Sequence, residues 1–284
     1  MTRTRLTLED DPGVSPIALI EAAWRLENAV FTHVPCAPVR DLIGADNVTA
    51  AYAVQQRLSS GRFFQGARVV GRKIGLTSPA VQAQLGVDQP DFGVLFADMQ
   101  IDAETEVPLE RLLQPKVEAE IAFVLGHDLI EGPLGPEQVR AAVAYAVAAI
   151  EIVDSRIAGW DISFADTVAD NASGGLFVLG SEHRDLSAFE PAAVEMAMSV
   201  DGIVVSTGTG TACLGDPLHA LRWLAEAARE FGEPLLAGQV VLSGALGPMA
   251  IVGPGSVVSA TITGLGEVHA TFSTPVDDTE GTQR

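Results

Sequence analysis

The longest uninterrupted apolar stretch of the chain, Ala141 to Ile150, runs straight into a carboxylate, Glu151, and continues as Ile152-Val153. Crossing a bilayer takes about 20 apolar residues, so this stretch belongs in a protein core and not in a membrane. A glutamate inside a buried apolar stretch is rarely left without a partner, because an unpaired charge in the interior is costly. Any fold for this sequence has to bring a counter-charge to Glu151. The supply of basic residues is thin: there are 17 Lys+Arg against 37 Asp+Glu, a formal net charge of −20. The only lysines are Lys73 and Lys116.

With 48% hydrophobic residues, the 284-residue chain can bury a large core, which excludes a disordered protein. Its negative charge opposes binding to a phosphate backbone or an anionic bilayer, so neither nucleic acid nor membrane is an expected partner. Cys36 and Cys213 fit no metal spacing and are too few for a disulfide framework, which suits two idle thiols in a reducing compartment. The segment Met1 to Leu6 lacks the apolar run of a secretion signal, and a cytoplasmic location is expected.

Four segments are expected. Residues 1–14 form a flexible tail and 276–284 a second one. Residues 15–66 form an N-terminal helical segment packed on the core: Ser15-Pro16 caps a helix with Ile17, Ile20, Ala23, Trp24, Leu26 and Val30, and Asp46 to Leu58 forms another. Residues 67–275 form a β-rich domain that carries the candidate chemistry. Within it, Val69 to Gly75 reads as a strand, Ser78-Pro79 opens a short helix ending near Gly86, and Val117 to Leu125 is a strand. Pro136 to Ala149 reads as a helix, and Asp201-Gly202 marks a hairpin. Asp216-Pro217 starts a helix reaching Phe231-Gly232, and the remainder is β: Val240 to Ser243, Ser256 to Thr263 and Glu267 to Phe272. No Gly-x-Gly-x-x-Gly follows a strand and no P-loop is present, so the pattern is α+β and not a dinucleotide-binding fold.

The strand period of two puts Glu118 and Glu120 side by side on one face, with Val117, Ala119, Ile121 and Phe123 on the other. Two adjacent carboxylates suit a hard divalent cation, and they suit equally the exposed polar face of an edge strand. Glu151 adds a third carboxylate and favours the metal. Asp154 is accounted for by a salt bridge with Arg156. Lys73, in an apolar strand between Gly71 and Gly75, points to a task for a compact ammonium, against the alternative of a snorkelling side chain. The turn-rich loop Gly86 to Gly93 carries Asp88 and Asp91, and the polar loop Asp166 to Gly175 carries Asn171 and Ser173. His127, His183, His219 and His269 have no ligand-like spacing, and no Gly-x-Ser-x-Gly elbow indicates a serine hydrolase.

Six segments in register, Gly71 to Thr77, Gly86 to Gly93, Gln114 to Ala122, Glu151 to Ile157, Asp166 to Ser173 and Gly244 to Met249, resemble the 2-keto-4-pentenoate hydratase family of the fumarylacetoacetate hydrolase-like superfamily. The resemblance spans roughly residues 15–275. It implies a mixed β-roll core of the fumarylacetoacetate hydrolase C-terminal type with covering helices, and a homo-oligomer. It implies Mg²⁺ or Mn²⁺ on Glu118, Glu120 and Glu151, and active-site roles for Lys73, Asp91 and Ser173. The implied substrate is a small 2-hydroxy or 2-oxo dienoic acid, 2-hydroxypenta-2,4-dienoate or a relative, hydrated to 4-hydroxy-2-oxopentanoate, with a decarboxylase as a potential partner protein. Three competing readings stand beside this one. A 2-oxo-3-enedioate (4-oxalocrotonate-type) decarboxylase would want an extra cation, such as Arg72 or Arg156, for its second carboxylate. A carbon–carbon hydrolase would want a His/Glu pair. A non-catalytic assembly subunit would not need the charged constellation.

Overall fold

The computed structural model describes residues 13–78, 82 and 87–274. The expected tails, apart from Gly13 and Val14, and most of the helix expected after Ser78 lie outside the described residues.

The N-terminal helices form where their caps and apolar stripes put them. In α1 (Pro16–Thr32), the Ser15 hydroxyl accepts the Ala18 amide at 3.2 Å, and Ala22, Ala23, Leu26 and Ala29 are buried. A short α2 (Arg40–Ile43) leads to α3 (Val48–Phe64), where the Asn47 side chain accepts the Ala50 amide at 3.1 Å. The buried residues of α3, among them Ala50, Ala51 and Val54, join the same core as α1, and small side chains there let the two helices approach closely. No helix among the described residues is long and apolar enough to cross a membrane.

Two sheets carry the rest. The large mixed sheet runs in the order β2 (Asp91–Phe96), β1 (Val69–Gly75), β9 (Val240–Ala245), β4 (Pro115–Leu125), β5 (Val143–Asp154), β6 (Gly174–Leu179) and β3 (Gln100–Ile101), with β10 (Ala250–Ile251) paired to β4. The β1–β9 and β3–β6 pairs are parallel, and the others are antiparallel. The smaller sheet is antiparallel, in the order β12 (Gly266–Thr271), β11 (Val257–Ile262), β7 (Glu195–Val200) and β8 (Ile203–Thr209). Between β7 and β8, Asp201 and Gly202 sit at φ +52° and +78°, the left-handed pair that a tight hairpin needs. The helix α6 (Pro217–Glu230) starts at Asp216 as expected and buries Leu221 and Leu224. This is the expected α+β architecture with its mixed sheet and covering helices.

One expected helix is cut short. The helix expected over 136–149 stops early: α4 covers Pro136–Ala142, and the apolar stretch from Val143 is β5. Its alanines favour a helix locally, but β5 pairs along almost its whole length with β4 and over its second half with β6. Two-sided pairing in a buried sheet outweighs helix propensity, which is worth only tenths of a kcal/mol per residue.

Candidate active site and metal centre

The site is assembled on one face of the large sheet. Glu118 of β4 stands directly opposite Glu151 of β5, with Glu120 two residues along on the same face. Lys73 lies in β1, and Asp91, the first residue of β2, is the register partner of Gly75. Strands β1 and β5 are separated by β9 and β4, which on a flat sheet would hold them roughly 14 Å apart. Yet Lys73 Nζ is 3.1 Å from Glu151 Oε1. The sheet is curled, so side chains from distant strands converge on its inner face. Gly75 makes room for this convergence, since a Cβ there would lie 2.2 Å from Asp91 Oδ1 and 3.5 Å from Lys73 Nζ.

Glu118, Glu120 and Glu151 each offer an oxygen within 4.8 Å of the others. Glu120 and Glu151 are fully buried and Glu118 partly so. One Glu120 oxygen, Oε2, accepts the Gly244 amide at 2.8 Å, at a glycine with φ +110°. The other, Oε1, has no hydrogen-bond partner, and neither oxygen of Glu151 finds an aligned donor despite the nearby ammonium. Burial, then the charge of Glu151, pushes Glu118 up to about 7 and Glu120 well above the carboxylate range. Burial alone would weaken the Lys73 ammonium, but Glu151, Asp91, Glu118 and Glu120 outweigh it and hold Lys73 above its ordinary value. Orphaned buried oxygens, clustered carboxylates and a single ammonium make a donor set that fits a hard divalent cation.

Ser173 reaches the same region by a different route. It ends an unusual turn in which Asn171, Ala172 and Ser173 all have φ between +51° and +55°. Such conformations cost roughly 1–2 kcal/mol each for non-glycine residues, so the turn has to be held. The Asn171 side chain accepts the Val94 amide at 2.7 Å and donates to the Val94 carbonyl at 3.0 Å, imitating a neighbouring strand along β2. Arg156 grips Asp170 by side chain and backbone and donates to the Gly174 carbonyl at 2.8 Å. Thr167, on α5 (Phe164–Ala169), lies between the two remaining residues: its Oγ1 donates to Asp91 Oδ2 at 3.3 Å and is 3.3 Å from Ser173 Oγ. Burial pushes Asp91 up to about 6, against the opposing pull of Lys73 and the Thr167 hydroxyl.

All six residues expected in the site are therefore drawn toward one region of the inner face. Several bland alternatives fall. The Glu pair is not on an edge strand, since β4 is flanked by β5 and β9. Lys73 does not snorkel, being 2% exposed. Asp91 opens a strand and is not in a loop. Asp154 is not the partner of Arg156: it accepts the amides of Leu113 at 3.0 Å and Gln114 at 2.6 Å, while Arg156 holds Asp170. Sequence reasoning picked out Asn171 beside Ser173 in the polar loop but gave no role to Thr167 or Gly244. The only available hint was the run Asp170-Asn171, residue types that tolerate left-handed turns.

A curled mixed sheet with a carboxylate cluster and a buried lysine on its inner face, flanked by a smaller sheet and covering helices, defines an α+β class with an enclosed acidic centre. Residues 68–273 match the fumarylacetoacetate (FAA) hydrolase C-terminal family, and the chain belongs to it. It is 52% identical over 266 residues to a 2-keto-4-pentenoate hydratase of Burkholderia vietnamiensis, covering 94% of this chain and 100% of that protein. It is also 52% identical over 256 residues to the TodF product hydratase of Pseudomonas putida, covering 90% of this chain and 96% of that protein. A solved 4-oxalocrotonate decarboxylase from Pseudomonas putida G7, complexed with magnesium and adipate, matches with a TM-score of 0.87 at 30% identity. That match covers 92% of this chain and 100% of the decarboxylase.

Proposed function

We propose that this protein is a hydro-lyase that adds water to 2-hydroxypenta-2,4-dienoate, or a close relative, giving 4-hydroxy-2-oxopentanoate in the meta-cleavage degradation of aromatic compounds. The observation that carries the reading is the carboxylate triad with its lysine, in a chain 52% identical over nearly its whole length to a 2-keto-4-pentenoate hydratase.

Glu118, Glu120 and Glu151 would hold Mg²⁺ or Mn²⁺, and an ion bound there supplies Lewis acidity toward the oxygens of a 2-oxo acid. Lys73 contributes a fixed positive charge beside Glu151, placed to stabilise negative charge on the substrate's 2-oxygen as the dienol becomes an unsaturated ketone. Asp91 is the group that moves protons or activates the water adding at C4, because its Oδ1 is buried without a partner. Ser173 orients substrate or water. The same reading carries a cytoplasmic homo-oligomer with a decarboxylase as potential partner. Exposed Ile17, Trp24 and Phe31 on α1 support self-association.

The decarboxylase reading has the solved neighbour in its favour, but the cations it would need are engaged. Arg72 alternates with Lys73 along β1, so it faces away from the site and pairs with Glu233. Arg156 holds Asp170. Neither is free for a second substrate carboxylate.

The test is to offer 2-hydroxypenta-2,4-dienoate and 4-oxalocrotonate side by side with Mg²⁺. Loss of dienol absorbance without CO₂ release is expected, and CO₂ release from the dioate overturns the hydratase reading. Replacing Glu118 and Glu120 together by Ala should lower turnover by more than about 100-fold. Undiminished turnover would remove the metal assignment, as an unchanged kcat in Lys73→Ala would remove Lys73.

A further inference from the structure

The chain of polar groups Asp91–Thr167–Ser173 has a direction. A threonine hydroxyl carries one proton, and an ionised carboxylate only accepts. Thr167 donates to Asp91 Oδ2, so its proton is committed and only lone pairs remain on the side of Ser173. The 3.3 Å contact between Thr167 Oγ1 and Ser173 Oγ is then a hydrogen bond donated by Ser173. Asp91, Thr167 and Ser173 are 1%, 4% and 4% exposed, so bulk water does not scramble the order.

We infer that Thr167 is a positioning residue that fixes the polarity of the site: its Oγ1 accepts the hydrogen bond donated by the Ser173 hydroxyl, so that Ser173 faces the reacting atoms as a hydrogen-bond acceptor, and it engages Asp91 Oδ2, so that Oδ1 is the oxygen left for chemistry. The inference rests on the hydratase reading for what the polarity is used for, and on geometry alone for the polarity itself. A water that donates one O–H to Ser173 Oγ keeps an oxygen lone pair free to attack carbon, and its other proton is available to Asp91. With a Ser173 that donated, the same water would be held through one of its two lone pairs, which draws electron density from the attacking oxygen and makes it a poorer nucleophile. The observation that Asp91 Oδ1 is buried with no partner agrees with this division of the two oxygens. The threonine itself is well anchored. All six residues of α5 are buried, and Asp166 beside it accepts the amides of Val39 at 2.8 Å and Arg40 at 2.9 Å.

Thr167→Val keeps the shape and deletes the hydroxyl. It should lower kcat about tenfold or more, while KM changes less than about threefold. Thr167→Ser should recover kcat to within about threefold of the wild type, and the double variant T167V/S173A should be no slower than the slower single, because the two hydroxyls act as a unit. A wild-type kcat in T167V, a T167S as slow as T167V, or additive losses in the double variant would each overturn the inference. Neutron diffraction of the wild-type protein exchanged into D₂O tests the polarity without relying on activity or on any variant's folding. Deuterons lying from Ser173 toward Thr167 and from Thr167 toward Asp91 are expected, and the reverse orientation refutes the proposal whatever the substrate. A wild-type enzyme inert toward the dienoate but with the expected deuterons would overturn the hydratase reading and leave the polarity standing.

Discussion

Three glutamates within 4.8 Å of one another, balanced by one lysine, leave an excess of negative charge whose sign can be measured. In chelator, Glu118 is held up to about 7 from an ordinary 4.5, so it binds its proton more tightly folded than unfolded. Between those values the folded state carries more protons, and stability must fall as pH rises through that window. Mg²⁺ at a hundred times its Kd should restore about 2.7 kcal/mol, seen as a rise of several degrees in Tm. Glu120→Gln makes permanent the uncharged form that burial and Glu151 already favour there in the absence of metal. Its Tm in chelator should rise, on the order of 1 kcal/mol of stability, while its response to Mg²⁺ disappears. A wild-type melting temperature indifferent to both Mg²⁺ and chelator would refute the account. At this scale the sequence was informative, because a buried charge in an apolar stretch announces its need for a partner. Thr167 was silent, since a threonine in a polar loop looks the same whether it caps a turn or orders two other side chains.

Among the elements, the left-handed turn 171–173 is the clearest case of local cost met by distant contacts. Asn171 holds it to β2 through both atoms of its amide. Asn171→Ala should cost about 1–3 kcal/mol, read in urea melts. It should lower kcat by more than that loss of stability alone would explain, because Ser173 moves with the turn. Full activity in a destabilised N171A would show that the turn serves stability only. The elements that could be read in advance are those set by local chemistry: Ser15 and Asp216 at helix starts, and Asp201-Gly202 in the hairpin. The helix expected to run on through 143–149 fails because the identity of that segment depends on β4 and β6, and no window of sequence around Tyr145 contains them. The same holds for Asp91, whose loop-like neighbours conceal a strand made by pairing with β1.

For the whole molecule, net charge and curvature act against each other. A chain of charge −20 repels an anionic substrate at long range, and only the curled inner face offers it a buried ammonium. Screening should help this encounter. The value of kcat/KM is expected to rise about twofold between 10 and 150 mM NaCl, where the Debye length shrinks from about 30 to 8 Å. A fall with salt would mean that local attraction governs capture. Curvature itself was not legible, because it arises from how many strands pair and where the ladder shifts. The pairing of Glu118 with Glu151 has a last consequence. Side chains alternate along a strand, so slipping β5 by any odd number of residues against β4 would turn Glu151 to the opposite face and dismantle the proposed cation site. The centre thus works as a parity check on sheet assembly. Followed during refolding, Mg²⁺ uptake would count only molecules whose two longest strands are aligned, and would ignore those that are merely collapsed.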